Sequence, residues 1–209
     1  MFRTLSSLSQ AKTLGGLGSL FILLSVVPTI GWLIGLAGFI MVLFAVKNIS
    51  DVLSDTSIFN NMIISVISAI AGLVIAVLFV IASVLTFVGF GWMRSLGPNF
   101  GGFLETVPKG DIIALIVSII VGLVLLWICL LISAIFLRKS YSAIGTKIKV
   151  GMFNTTALLY LIGAATTIIV MGFIILIVAE ILQVIAFFSL PENVPPPTSP
   201  PSSTIPPPQ

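Results

Sequence analysis

The stretch MIISVISAIAGLVIAVLFVIASVLTFVGF, residues 62–90, contains no charged side chain and decides the class of this protein. The hydrocarbon core of a bilayer is about 30 Å thick, and a helix that crosses it needs roughly 20 residues. Residues 62–90 exceed that length, as do two further apolar runs at 112–137 and 155–188. Over the 209 residues, 58% are hydrophobic, 7% are charged and the mean hydropathy is +1.29. These values exclude a soluble globular domain and predict an integral membrane protein.

The first apolar block, residues 14–46, is too long for one span and contains the turn signal Pro28-Thr29-Ile30-Gly31. We interpret it as a helical hairpin with short arms at 14–27 and 31–46. The alternative is a single kinked helix. With the hairpin, the sequence predicts an all-α polytopic membrane helix bundle of five apolar segments, a short N-terminal hairpin followed by three longer spans.

The distribution of the nine basic residues predicts the orientation, since Lys and Arg near span ends stay on the cytoplasmic side. With five spans and a cytoplasmic N-terminus, seven basic residues lie inside and two outside. A single kinked helix would change the count to five against four. We therefore expect a multi-pass protein of the cell membrane with its N-terminus inside and its C-terminus outside. The inner set is Arg3, Lys12, Lys47, Arg138, Lys139, Lys147 and Lys149, and the outer set is Arg94 and Lys109.

Composition divides the chain into three parts. Residues 1–13 place apolar and basic side chains at near-helical spacing, which fits a segment at the inner membrane interface or a plain basic flank. Residues 14–189 form the transmembrane bundle. Residues 190–209 are rich in Pro, Ser and Thr, which favours extended polyproline conformation and excludes a helix. We expect this tail outside, as an unstructured spacer or as a contact segment for a neighbouring protein.

Small residues at helical spacing predict where the helices pack, because small side chains let backbones approach closely in lipid. Such patterns occur on three successive spans and indicate one compact bundle. Whether the same faces also mediate homodimerisation is left open by the sequence. The candidate packing residues are Gly31, Gly35, Gly38, Ser68, Gly72, Ser118 and Gly122.

Two segments resemble each other. FAVK (44–47) followed by IFNN (58–61) is matched by FLRK (136–139) followed by MFNT (152–155). A duplicated helix pair, a parallel repeat of the kind found in some transporters, would explain the match. Convergence at a few positions explains it equally well.

The glycine-rich first hairpin, the segment Ser57-Ile-Phe-Asn-Asn61, and Phe153 followed by ALLYLIG (157–163) resemble an uncharacterised, mainly archaeal family of multi-pass membrane proteins, domain of unknown function 996. The resemblance covers roughly residues 14–180. It implies a membrane-spanning fold and no functional residue, since the family has no assigned activity.

The chain offers little material for catalysis, since it has no histidine, one cysteine and six carboxylates. We expect no enzyme, no cofactor and no metal site. Glu180 is the one carboxylate within a predicted span and is the candidate intramembrane polar site. If the last span begins near Thr155, Glu180 reaches the outer headgroup region; if it begins near Leu161, Glu180 is immersed and needs a proton, a cation or a partner.

The strongest charge cluster comprises Arg138, Lys139, Lys147 and Lys149. These are candidate contacts for acidic lipid headgroups, although membrane orientation alone accounts for them too. A nucleic-acid partner is not expected, because the cluster is small and lacks an accompanying binding motif.

The sequence favours a non-enzymatic structural or accessory subunit of a larger membrane or envelope complex. It would contact a protein partner, or further copies of itself, through the outer loop 91–111 and the tail. The alternative is a small transporter or channel for an ion or small solute, suggested by Glu180 and the repeat.

Overall fold

The computed structural model describes residues 8–25, 27, 29–94, 109–169 and 171–191, with the backbone alone described at 87–94 and 109–112. Six α-helices and no strand occur in these residues. The helices are α1 (Leu8–Leu24), α2 (Gly31–Val52), α3 (Thr56–Arg94), α4 (Lys109–Ile148), α5 (Gly151–Thr166) and α6 (Met171–Phe188).

Among these helices, α2, α3, α4, α6 and α5 with its following turn are long and apolar enough to cross a membrane, and α1 is shorter. The predicted class is thereby confirmed, and the protein is a membrane-embedded helical bundle. The distribution of the segments differs from the prediction, however, because two of the long helices lie within residues 155–188.

Helices α1 and α2 form the predicted hairpin. The chain reverses between α1 and α2, where Thr29 has the left-handed value φ 76°. A Cβ added to Gly18 would lie 2.7 Å from the carbonyl oxygen of Gly38, so only glycine permits this approach of the two backbones. Gly35 and Gly31 pack against Ser25 at the turn.

Both hairpin arms extend beyond the predicted bounds, because α1 begins before residue 14 and α2 continues past residue 46. Residues 8–13, expected as part of a separate interfacial segment, form the first turns of α1, and the side chains of Leu8 and Ala11 are buried.

Helices α3 and α4 pack side by side in opposite directions. Gly72 lies against Cys129, and Gly122 lies against Phe79 with an added Cβ 3.5 Å from the Phe79 Cβ. The predicted Gly72 and Gly122 therefore lie in the contact. Ser68 and Ser118 are partly buried, and the Ser118 hydroxyl donates to Leu115 of its own helix at 2.8 Å. Other serine hydroxyls join the two helices: those of Ser65 and Ser133 lie 3.0 Å apart, and the Ser140 hydroxyl donates to the Ile58 carbonyl at 2.8 Å.

Residues 155–188 do not form one span. A 3₁₀ turn at Thr167–Ile169 separates α5 from α6, and the two helices run antiparallel. An added Cβ on Gly163 would lie 2.7 Å from Leu176 Cδ2, and Gly172 approaches the backbone of Gly163 and Thr167. The hydroxyl of Thr167 donates to the Gly163 carbonyl at 2.7 Å, which satisfies a backbone group at the break. Small residues and hydroxyls thus reverse the chain without a proline or a polar loop.

The second hairpin changes the relation between the two ends of the chain. Leu8, Ile49, Ile58, Ile148 and Leu190 all belong to one buried cluster, at what we call the basal end of the bundle. The first and last described helices therefore begin and end on the same side. An internal N-terminus with an external C-terminus does not fit this topology, because the expected external tail depends on a single crossing by residues 155–188. Residues 192–209 of the tail lie outside the described residues.

Aromatic rings fix the last three helices to one another at the basal end. The ring centroids of Phe153 and Phe187 are 5.2 Å apart at an interplanar angle of 86°, and Tyr141 meets them at 5.7 and 6.2 Å. Edge-to-face pairs of this kind contribute about 1 kcal/mol each beyond the area they bury. Away from this core, α3 and α4 expose apolar side chains such as Leu78 and Leu85, as expected for helices in lipid.

Candidate functional site

Glu180 lies midway along the 18-residue helix α6, which is otherwise apolar except for Gln183. Residues three apart share one face of a helix, so these two side chains project in similar directions. That face also carries Ala179 and Ala186, both buried, and it packs against α5 and α1. The carboxyl group is therefore directed into the bundle.

Hydrogen bonds connect Glu180 to three other helices, to α5 directly and to α1 and α4 through Gln183. The hydroxyl of Tyr160 on α5 donates to Glu180 Oε2, and Gln183 Nε2 donates to Glu180 Oε1 at 3.3 Å. Gln183 Nε2 also donates to Ser19 Oγ on α1 at 2.8 Å, and its Oε1 accepts from the Tyr141 hydroxyl on α4 at 2.9 Å. We call these five residues the polar network.

The polar network is closed at one side and partly open at the other. Ser19, Tyr141 and Gln183 are no more than 3% exposed, whereas Tyr160 and Glu180 are partly buried. Both carboxylate oxygens accept a hydrogen bond, an arrangement suited to a negative charge. Glu180 and Tyr160 are therefore the members of the network that reach the surface of the bundle.

Glu180 has no cationic partner within the described part of the chain. The ion pairs there are Lys47 with Asp51, at 3.5 Å, and Lys147 with Asp55, at 2.7 Å. A carboxylate within a membrane bundle and without a basic partner is balanced by donors, by a bound proton or by a cation. The network supplies two donors, from Tyr160 and Gln183, and a proton or a cation could balance the charge in addition.

A further polar side chain lies about one helical turn from Tyr160 on α5. The Thr156 hydroxyl, on the turn of α5 that precedes Tyr160, is fully buried and has no hydrogen-bond partner among the described residues. Buried hydroxyls are seldom left without a partner. The polar character of this part of the bundle therefore extends beyond the five residues of the network.

Three of the four predicted basic residues come together in a second location. Arg138, Lys139 and Lys147 line a cleft of about 550 Å³ against α5, and Lys149 lies outside it. Asp55 packs on Lys147 from the loop between α2 and α3. The hydrogen bond with Lys147, followed by that with Ser57, lowers the pKa of Asp55 from 3.8 to about 2.

Sequence reasoning singled out Glu180 and the basic cluster as candidates but did not predict the hydrogen bond between Tyr160 and Glu180. The outer headgroup position, expected for a single span that begins near Thr155, would put Glu180 near one end of that span, whereas the carboxylate lies halfway along a separate helix. The signal that was available is the glycine pair Gly163 and Gly172, which permits a reversal. A reversal there brings Tyr160 opposite Glu180.

Comparison with known proteins gives two matches. The family model described as "Protein of unknown function (DUF996)" matches residues 34–181. An uncharacterised protein of Methanocaldococcus jannaschii is 32% identical over 187 residues, which cover 90% of this chain and 95% of that protein. No solved structure matches the chain.

Proposed function

The chain belongs to the DUF996 family of proteins of unknown function, and we propose that it is a small membrane carrier that binds a proton or a small cation at Glu180. The observation that carries the proposal is the carboxylate of the polar network, which has hydrogen-bond donors but no basic partner among the described residues. Intramembrane carboxylates of this kind mark ion and proton pathways.

Loading and unloading would change the charge of the site. When Glu180 is ionised, Tyr160 and Gln183 stabilise the negative charge by donating to both oxygens. When a proton or a cation is bound, the charge is neutralised and the site can pass through an apolar environment at lower cost. The carboxylate would therefore be the group that alternates between loaded and empty states.

The α5–α6 hairpin is the element that would move. Its helices have 16 and 18 residues, against 39 and 40 in α3 and α4, and they are separated by a 3₁₀ turn. By analogy, transporters place their sites beside interrupted helices of this type. Both pairs of the suggested repeat, α2 with α3 and α4 with α5, also turn at the basal end.

The basic residues favour a cytoplasmic basal end. Arg94 and Lys109 lie at the far ends of α3 and α4, and every other basic residue in a described helix or loop lies towards the basal end. Under the positive-inside tendency, we propose that the protein resides in the cell membrane with both chain ends in the cytoplasm.

Ion flux into liposomes tests the proposal. Purified full-length protein is reconstituted with a pH-, sodium- or potassium-sensitive dye inside, and the gradient of the corresponding ion is imposed. We expect flux of one of these ions, a fall to the protein-free rate in Glu180→Gln, and partial activity in Glu180→Asp, which keeps the carboxylate. Asp51→Asn, on an exposed pair, should keep full flux.

Two results would contradict the proposal. One is the absence of flux for all three ions in the wild-type protein. The other is undiminished flux in Glu180→Gln. A monodisperse elution profile and an unchanged circular dichroism spectrum establish that each variant is folded.

The second candidate is the non-enzymatic accessory subunit. Its contact regions, the loop 91–111 and the tail 190–209, lie largely outside the described residues. The supporting observation is the exposed apolar surface on α3 and α4, which offers a face to a second protein as well as to lipid. Under this hypothesis, mild-detergent purification recovers a protein partner or a homo-oligomer, and liposomes containing this chain alone show no flux.

A further inference from the structure

The basic cleft carries more positive charge than the surrounding protein balances. Lys147 is paired with Asp55 at 2.7 Å, but Lys139 lies 4.9 Å from the ring centroid of Phe136 and has no carboxylate partner among the described residues. Arg138 likewise has none in that part of the chain. Two uncompensated cations on adjacent residues attract an anion.

The remaining lining is both polar and apolar. The Thr146 hydroxyl donates to the Ser142 carbonyl at 2.8 Å, and Ser142, which also lines the cleft, lies about one helical turn after Arg138 and Lys139. Ile135 and Leu161 lie beside Arg138 on the side away from the basal end, and Ile135 is 44% exposed. The full lining is Ile135, Arg138, Lys139, Ser142, Ala143, Thr146, Lys147 and Leu161.

We propose that this cleft binds the headgroup of an anionic phospholipid. Arg138 and Lys139 would bind the phosphate, with the Ser142 hydroxyl as an additional donor, while an acyl chain follows the apolar path past Ile135 and Leu161. A free phosphate ion would use the same cations, but it has no use for the apolar side of the cleft. The proposal does not depend on transport through Glu180.

The position of the bound lipid would also show where the membrane surface lies along the protein. A bound phosphate at Arg138 lies at the headgroup level of the leaflet on the basal side. Lys147, near the end of α4, and Lys149, just after it, would then project beyond that leaflet. Arginine binds phosphate through a planar fork of donors, which suits it to this position better than a single ammonium group.

Native mass spectrometry of the full-length protein in detergent tests the proposal. Dioleoyl-phosphatidylglycerol and dioleoyl-phosphatidylcholine are added at equal concentration, and the fraction of protein with bound lipid is counted. We expect preferential retention of phosphatidylglycerol, and a loss of about fivefold or more in its affinity when Arg138 and Lys139 are both changed to Gln.

Two variants distinguish lipid binding in the cleft from general electrostatic attraction of anionic lipid to the protein surface. Lys149→Gln removes one positive charge from the same end of the protein but outside the cleft, and it should leave the preference intact. Ser142→Trp fills the cleft without changing charge and should abolish the preference. An equal loss in Lys149→Gln, or undiminished binding in Ser142→Trp, would overturn the proposal.

Inorganic phosphate distinguishes the source of the anion. Added at millimolar concentration, it should not displace phosphatidylglycerol, because it lacks the acyl chain. Displacement by inorganic phosphate, or equal retention of the two lipids by the wild-type protein, would show that the cleft is not a site for an anionic phospholipid.

Discussion

The hydroxyl of Tyr160 donates a hydrogen bond to the carboxylate of Glu180, 20 positions further along the chain, and closes the hairpin of α5 and α6. The same tyrosine meets the ring of Tyr141 at a centroid distance of 6.5 Å. One contact thus connects the ionisable group of the bundle with the aromatic core at its basal end. The site and the fold of the last two helices therefore depend on each other.

Replacing Tyr160 by Phe should reduce both stability and ion binding. The substitution keeps the ring but removes the donor to a carboxylate, a loss of about 2 kcal/mol for a hydrogen bond to a charged group. Thermal unfolding in mild detergent should show the reduced stability, and liposome flux should show the weaker site. Ser83→Ala is the matched control, because the Ser83 hydroxyl is exposed and bonds only to Phe79 of its own helix. Similar unfolding curves for both variants would mean that the Tyr160 contact contributes nothing.

The sequence predicts the helical class and the first hairpin because both have local signals. An uncharged run such as residues 62–90 has no stable alternative to a helix in lipid, and Pro28 with Gly31 marks the first reversal. The second reversal lacks such a signal. Residues 163–172 are apolar or small apart from two threonines, so the run reads as continuous until the packing of Gly163 and Gly172 is known.

The candidate site likewise has one part that the sequence predicts and another that depends on tertiary packing. Glu180 is visible in the sequence because a carboxylate in an apolar run is unusual. Tyr160 and Ser19 are not visible, since a tyrosine or serine within an apolar helix usually needs no special explanation. Their role depends on the antiparallel arrangement of α5 and α6 and on the packing of α1, which are tertiary facts.

Gly172→Ala should destabilise the second hairpin. A Cβ at this position meets backbone atoms of Thr167 and Gly163, which cannot move aside as a flexible side chain can. We expect a loss of about 1–3 kcal/mol, the usual range for overpacking. Gly151→Ala is the control, because a Cβ there has nothing within 4 Å. Thermal unfolding compares the stability of the two variants. Equal stability would contradict the close approach of Gly172 to the backbone of Gly163 and Thr167.

The contact between Asp55 and Lys147 should make stability depend on pH in the acid range. The pKa of Asp55 is lowered from 3.8 to about 2 in the folded protein, so the folded state binds this proton less readily than the unfolded state. The contribution is therefore complete above about pH 4 and is lost as the pH falls towards 2. It should amount to about 1 kcal/mol, as for a favourable ion pair near the surface.

Asp55→Asn tests this dependence. Asparagine can still cap α3 in place of Asp55, whose Oδ1 accepts from the Ser57 backbone N–H at 3.0 Å, so the substitution removes mainly the charge. The stability difference from wild type should be present at pH 6 and vanish near pH 2. Asp51→Asn should change stability by less than about 0.5 kcal/mol, because both members of its pair are about half exposed. A pH-independent difference for Asp55→Asn would contradict the assignment.

The two ends of the chain should be accessible from the same side of the membrane. In a Cys129→Ala background, which has no other cysteine, single cysteines are placed at the exposed positions Ser9, Ser189 and Thr29. Ser9 and Ser189 flank the basal core, whereas Thr29 lies at the turn of the first hairpin. A membrane-impermeant maleimide added to sealed vesicles should label the first two together and Thr29→Cys from the opposite side. Labelling of Ser9→Cys and Ser189→Cys from different sides would indicate that residues 155–188 cross the membrane once. In that arrangement Tyr160 and Glu180 would not be in contact.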